Sequence, residues 1–196
     1  MTRYDGGLLH AIEIYLEGKS NRKFGVLVID EHSKKAEVTA RALEQRRALI
    51  FARERGFKII LVELNPAMTW EKRHATNATL TDAVPPGTEV FFKVGFNAFG
   101  KVDDTGHARS GNVGRSHLDA TLRKAGVNEL LVMGQMGNMC VRLTSVGGRE
   151  RPTGPPIEGA VDFGYQVWIC PQIINTDGKD WLDWFDDRGV KCYTAL

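Results

Sequence analysis

Residues 131–147 read LVMGQMGNMCVRLTSVG, and the passage from an apolar run through a Gly-rich bend to a cysteine decides the fold. Completed upstream as ELLVMG (129–134), the run is short and continuously apolar, as strands buried on both faces of a helix-covered parallel sheet are. A helix is predicted to start near Asn138, so Cys140 falls at a strand-to-helix junction. FGVLVID (24–30) and FKIILVEL (57–64) repeat the pattern. TEVFFKV (88–94) and YQVWIC (165–170) are weaker strand candidates, and GVKCYTA (189–195) is a possible last edge strand.

Between the first two runs, SKKAEVTARALEQRRALIFARERG (33–56) repeats its apolar residues at three- and four-residue spacing and stops at a glycine, the pattern of an amphipathic crossover helix. RSHLDATLRKAG (115–126) and DGKDWLDWFDDRG (177–189) are further helix candidates. Trp181 and Trp184 in the latter are expected to bury a helix face against the sheet, with another subunit as the alternative. Strands alternating with helices imply a three-layer α/β/α domain, an open, mainly parallel sheet of about six strands with right-handed crossovers.

The 196 residues show no linker and no internal repeat and are read as a single domain, with 1–22 an N-terminal extension and 147–159, GGRERPTGPPIEG, an inserted loop. Two long connections, 65–87 and 95–114, follow predicted strands and are expected to shape a cleft or an interface. The 26 Lys and Arg nearly balance the 24 Asp and Glu, which lacks the footprint of a nucleic-acid binder; the cluster RALEQRR (41–47) reads as a solvated helix face. Three widely spaced cysteines, Cys140, Cys170 and Cys192, argue against a disulfide framework or a CxxC zinc site. The N-terminal stretch is too polar for a signal peptide or a membrane span, so a cytoplasmic protein is expected.

Ligands of open parallel sheets collect beyond the carboxyl ends of the strands. Asp30, Lys93 and Cys140 all fall at such ends. Each has a structural alternative: Asp30 as a helix N-cap, Lys93 reaching solvent along its stem, Cys140 as a packed core thiol. Chemically the three make a set. A cysteine at a helix start beside an ammonium is expected to have a lowered pKa, Asp30 to accept the thiol proton and return it to a leaving amine, and freed amides in GQMGNMC to hold an oxyanion. A nucleotide-binding or flavodoxin-like module would need glycines after the first strand, where IDEHSKKAE is acidic.

VLVID, FFKVGFNAF, LLVMGQMGNMCV and AVDFGYQVWIC, in that order over about residues 24–170, resemble the isochorismatase-like cysteine hydrolases, which include nicotinamidases and N-carbamoylsarcosine amidohydrolase. The resemblance implies that Asp30, Lys93 and Cys140 match the family's triad and that a non-proline cis peptide lies between Gln135 and Met136. It aims the amides of Met136 and Cys140 at the oxyanion, and it implies hydrolysis of a small carboxamide or related C–N bond through a thioester. Phe99 matches an aromatic that faces the site, with a core aromatic as the alternative. His32 stands where relatives carry glutamine and is read either as a substrate contact or as a hydrogen-bonded turn histidine, and Gln135 is assigned to substrate binding. The sequence departs from the metal-binding relatives: Asn65 replaces the expected acid and only His74 follows, so no metal and no cofactor is expected. Met136, Gly137, Asn138 and Met139 replace the usual small and hydroxylated neighbours of the cysteine, which keeps open an inactive scaffold binding a small molecule or protein partner. Arg149 and Arg151 meet an anionic substrate, a neighbouring subunit or solvent. A homo-oligomer, dimer, tetramer or larger, with no nucleic-acid or membrane partner, completes the expectation.

Overall fold

The computed structural model describes residues 3–19, 21–32, 39–65, 75–100, 116–150, 152–176, 185 and 188–196. The chain runs β1 (Arg3–Gly7), α1 (Leu8–Glu17), β2 (Phe24–Ile29), α2 (Ala40–Glu54), β3 (Lys58–Leu64), α3 (Ala78–Thr81) and β4 (Glu89–Lys93). It continues through α4 (His117–Lys124), β5 (Glu129–Gly134), a π-helical turn Gly137–Val141, α5 (Arg142–Val146), β6 (Gln166–Ile169) and β7 (Lys191–Ala195). Seven strands form one sheet in the order β1-β7-β6-β5-β2-β3-β4, and all six pairings are parallel. The architecture is the open parallel α/β sheet expected, with helices in its crossovers. β2 and β5, at its centre, are buried at every residue, as their unbroken apolar runs require.

The sheet has one strand more than the apolar runs announce. Residues 3–7, read as part of an extension, pair in parallel with β7, so β1 is the edge strand and β7 lies inside it. The segment RYDGG carries two glycines and no alternation, so it gives no strand signal; what holds it is tertiary, Tyr4 stacking on Tyr193 at 4.8 Å. The helix predicted over 33–56 is observed from Ala40 to Glu54, its start fixed by Thr39, whose side chain accepts from the amide of Ala42. Its basic cluster is only partly solvated: Gln45 is fully buried, and Arg41 pairs with Glu31 at 3.1 Å. Of the helix predicted over 177–189, residues 177–184 and 186–187 lie outside the described residues, Trp181 and Trp184 included. Among the described residues, no helix is long and apolar enough to cross a membrane.

Strand order reverses at the centre. β3 and β4 lie to one side of β2, and β5 to the other. Connections leaving β2 and β5 therefore diverge and open a crevice at their carboxyl ends. Register sets what lines it: Ile29 pairs with Gly134, so Asp30 and Gln135 are the first residues beyond the paired ends. Gly134, at φ +125°, cannot be another residue, because a Cβ there would sit 2.1 Å from the carbonyl oxygen of Ile29. At the opposite end of the sheet the fully buried Glu129 is satisfied by Trp168 Nε1 at 2.7 Å, Tyr15 Oη at 2.8 Å and Arg22 at 3.2 Å.

Candidate active site

β2 delivers Asp30, β4 ends in Lys93, and the turn after β5 carries Cys140. Lys93 pairs with Leu64 on β3, while Ile29 pairs with Val62, so the lysine stands two residues farther out than the end of β2 and reaches across β3. Its ammonium lies 2.8 Å from Asp30 Oδ2, 2.9 Å from the carbonyl oxygen of Gly95 and 3.6 Å from Cys140 Sγ. The three side chains, 63 and 47 residues apart in sequence, meet at one point.

Each structural alternative fails on geometry. Asp30 does not cap α2, a task Thr39 performs; its carboxylate faces Lys93. Asp30 also holds a left-handed backbone, φ +48°, which costs about 1 kcal/mol and collects at functional sites. Lys93 does not reach solvent, since the residue is only 2 % exposed. Cys140 is buried in the apolar core, at 8 % exposure, yet its sulfur also meets the ammonium of Lys93.

Electrostatics correct one expectation. Burial, not the helix start, dominates at Cys140 and pushes its thiol up to about 11; Lys93 and the amide of Met136 pull it down, and Asp30 pushes it further up. The resting form near neutral pH is therefore the thiol.

The Gln135–Met136 peptide is cis, and the amide of Met136 hydrogen-bonds Cys140. Met136 itself is 37 % exposed, at the rim. Gln135 has a different task from the substrate contact expected of it. Its amide nitrogen donates to the carbonyl oxygen of Asp30 at 2.7 Å and lies 3.1 Å from His32 Nδ1 and 3.3 Å from the His32 carbonyl oxygen. Those donor hydrogens are already engaged in holding the turn that presents Asp30. His32 is exposed and hydrogen-bonded within this same turn, Nδ1 lying 3.1 Å from the Asp30 carbonyl oxygen. Phe99 is core: at 1 % exposure it stacks on Phe163 at 5.2 Å and tilts against Tyr165 at 5.7 Å, leaving no ring face for a ligand. The exposed aromatics of this region are Phe92 and Phe96.

Several contacts had no signal in the sequence. Glu31, beside Asp30, is 5 % exposed and accepts from Arg41 and Gln45 of α2, anchoring the turn from beneath. Glu150 accepts from the amides of Phe96 and Asn97, and Thr144 Oγ1 accepts from that of Ala98. Such long-range polar pairings are set by tertiary approach, which residue spacing does not encode. Arg149 donates within its own loop, to Gly154, and Arg151 lies outside the described residues.

Among the described residues no group of three or more His, Cys, Asp or Glu side chains is placed to hold a metal ion. His74 and its neighbours 66–74 lie outside them. Asn65 is a neutral amide whose backbone N–H donates to the Lys93 carbonyl oxygen at 3.0 Å. An amide at this position lacks the charge of a carboxylate ligand. A cavity of about 1050 Å³ opens at the amino ends of β2 and β3, opposite Asp30, Lys93 and Cys140; of the cations lining it, Arg22, Arg55 and Lys58 are paired with Glu129, Glu13 and Glu89. A smaller one, about 130 Å³, lies beside Lys93 and is lined by Asn65, Phe92, Asn97 and His117.

Comparison with solved structures places this fold beside three proteins, all at low identity. An N-carbamoylsarcosine amidase from Thermoplasma acidophilum superposes with a TM-score of 0.58 at 16% identity, covering 87% of this chain and 95% of that one. An isochorismatase family protein from Desulfovibrio vulgaris gives 0.61 at 17%, covering 88% and 94%. A nicotinamidase from Staphylococcus aureus gives 0.55 at 13%, covering 91% and 100%. No curated protein matches the sequence. The family model described as the isochorismatase domain matches residues 27–151, a span that contains Asp30, Lys93 and Cys140, and the chain belongs to the isochorismatase family.

Proposed function

We propose that this protein is a cysteine-dependent hydrolase of a small carboxamide or a related C–N bond. The single observation that carries the reading is the position of the buried Lys93 ammonium, 2.8 Å from the Asp30 carboxylate and 3.6 Å from the buried Cys140 sulfur.

The raised thiol pKa sets the order of events. Cys140 Sγ transfers its proton to Asp30 as it attacks the carbonyl carbon, so the thiolate forms only with substrate present. The ammonium of Lys93 offsets the charge that develops between sulfur and carboxylate, and it does so in a medium of low dielectric where the effect is large. The carbonyl oxygen becomes an oxyanion, taken by the backbone amides of Met136 and Cys140. Asp30 then returns the proton to the leaving nitrogen, the C–N bond breaks, and ammonia or an amine departs. Water, giving a proton to Asp30, attacks the thioester; the acid leaves and the thiol reforms with that proton. Every proton is accounted for by one carboxylate. Gln135 and Glu31 act as positioning residues that hold the Asp30 turn.

Turnover of a panel of small primary amides by the parent, Cys140→Ala and Cys140→Ser tests the reading. Both variants are expected to fold and to lose at least about a thousandfold in kcat. Parental turnover in either removes the sulfur from the mechanism. A parent that turns over no amide and binds members of the panel unchanged is instead an inactive scaffold.

A further inference from the structure

The inserted loop, 147–159, does not stand apart from the site. Its neck is tied by two hydrogen bonds between Gly148 and Ile157, 2.8 and 2.7 Å. Beyond the neck, Glu150 Oε1 accepts from the amides of Phe96 at 2.9 Å and Asn97 at 3.3 Å. On the returning limb, the Glu158 carbonyl oxygen accepts from Asn97 Nδ2 at 2.8 Å. Asn97, 1 % exposed, closes the turn by accepting from the amide of Phe99. Both limbs of the loop thus grip the turn that follows β4.

One peptide unit joins this grip to the triad. The N–H of Phe96, which Glu150 accepts, and the C=O of Gly95, which accepts from Lys93 Nζ at 2.9 Å, belong to the same planar trans peptide and point in opposite directions. Gly95, at φ +84°, permits this orientation, and a Cβ added there would press on Glu150 Oε1 at 3.0 Å.

We infer that Glu150 is a positioning residue for catalysis, holding the Gly95–Phe96 peptide so that its carbonyl fixes the Lys93 ammonium between Asp30 and Cys140. This rests on the triad reading above. The inserted loop is, on this view, a brace for the lysine. The groups facing Cys140 are Lys93 and Asp30; Glu150 acts on the sulfur only through Lys93.

The test is the rate of Cys140 alkylation by iodoacetamide at pH 8, followed by peptide mass spectrometry, in the parent and in Glu150→Ala, Glu150→Gln, Glu150→Asp and Lys93→Met. Lys93→Met is expected to slow alkylation by about tenfold or more, and Glu150→Ala by about threefold or more in the same direction. Glu150→Gln, whose single oxygen can still accept both amides, is expected to stay within about twofold of the parent. Loss of fold stability alone would expose the thiol and accelerate the reaction. Should Glu150→Ala not fold, Glu150→Asp, which withdraws the oxygen by one methylene and keeps the charge, is expected to slow alkylation at least about twofold. A slow Lys93→Met with parental rates in the Glu150 variants that fold overturns the brace alone; a parental rate in Lys93→Met overturns the triad on which it rests.

Discussion

Lys93 Nζ lies 3.6 Å from Cys140 Sγ, between a strand end and a helical turn that are 47 residues apart in sequence, and it is held there by Asp30 Oδ2 and the Gly95 carbonyl. The ammonium is a fixed part of a buried cluster. Because the cluster is desolvated, changing any member alters the charge balance felt by the other two.

Opposite shifts are expected when either charged partner of the thiol is neutralised. Burial sets the Cys140 thiol near 11, with Lys93 lowering it and Asp30 raising it. In pH titrations of alkylation, Lys93→Met should therefore move the midpoint up and Asp30→Asn should move it down. Shifts of the same sign in the two variants would contradict the assigned contacts.

Asp30→Asn should also cost stability. It leaves the buried ammonium of Lys93 without its carboxylate, and breaking one side of a buried pair typically costs about 3 to 5 kcal/mol. Relief of little backbone strain is expected in return, because asparagine tolerates the left-handed φ about as well as aspartate. Urea denaturation at pH 7 measures the difference, and a change below about 1 kcal/mol would mean that the pair is not the anchor of the site.

Gly134→Ala should disrupt the crevice itself. The added Cβ would lie 2.1 Å from the Ile29 carbonyl oxygen, in a backbone region that L-residues avoid, so β2 and β5 must separate where Asp30 and Gln135 begin. The expected loss is roughly 3 kcal/mol or more. Calorimetry reads it directly, and a melting temperature within a degree of the parent would contradict the register.

Alkaline pH should weaken the fold between about pH 9 and 11. Cys140 and Cys170 are both pushed up to about 11 by burial, from values near 9. A group with a raised folded-state pKa contributes stability that is complete below its unfolded value, near pH 9, and is lost as pH rises through 11; each thiol is worth about 2 to 3 kcal/mol over that window. Denaturation free energy should fall between pH 9 and 11, and Cys170→Ala should flatten that slope. A slope unchanged by the substitution would place Cys170 in contact with water.

The central strands and the meeting of Asp30, Lys93 and Cys140 are legible because their signals are local. Buried parallel strands write themselves as unbroken apolar runs, and a chain that ends such runs in Asp30, Lys93 and the bend before Cys140 announces one crowded edge. β1 was illegible for the opposite reason: RYDGG gains its pairing only from β7, at the far end of the chain. Phe99 shows where composition misleads, since GFNAF holds two phenylalanines and only packing against Phe163 and Tyr165 decides which is inside. Gln135 falls near the site, and the contacts of its amide nitrogen with Asp30 and His32 are a fact of geometry alone. The thiol's pKa was misjudged because a helix start and a lysine are visible in sequence, whereas desolvation is a property of the folded volume.

The most direct measurement is intact-mass spectrometry after rapid acid quenching of the protein incubated with a library of small amides. An acyl adduct that maps to Cys140 in the parent, decays with the kinetics of turnover and never forms in Cys140→Ala is the expected result. Amide hydrolysis that proceeds with no mass increase on Cys140, and persists undiminished in Cys140→Ala, would contradict a thioester route.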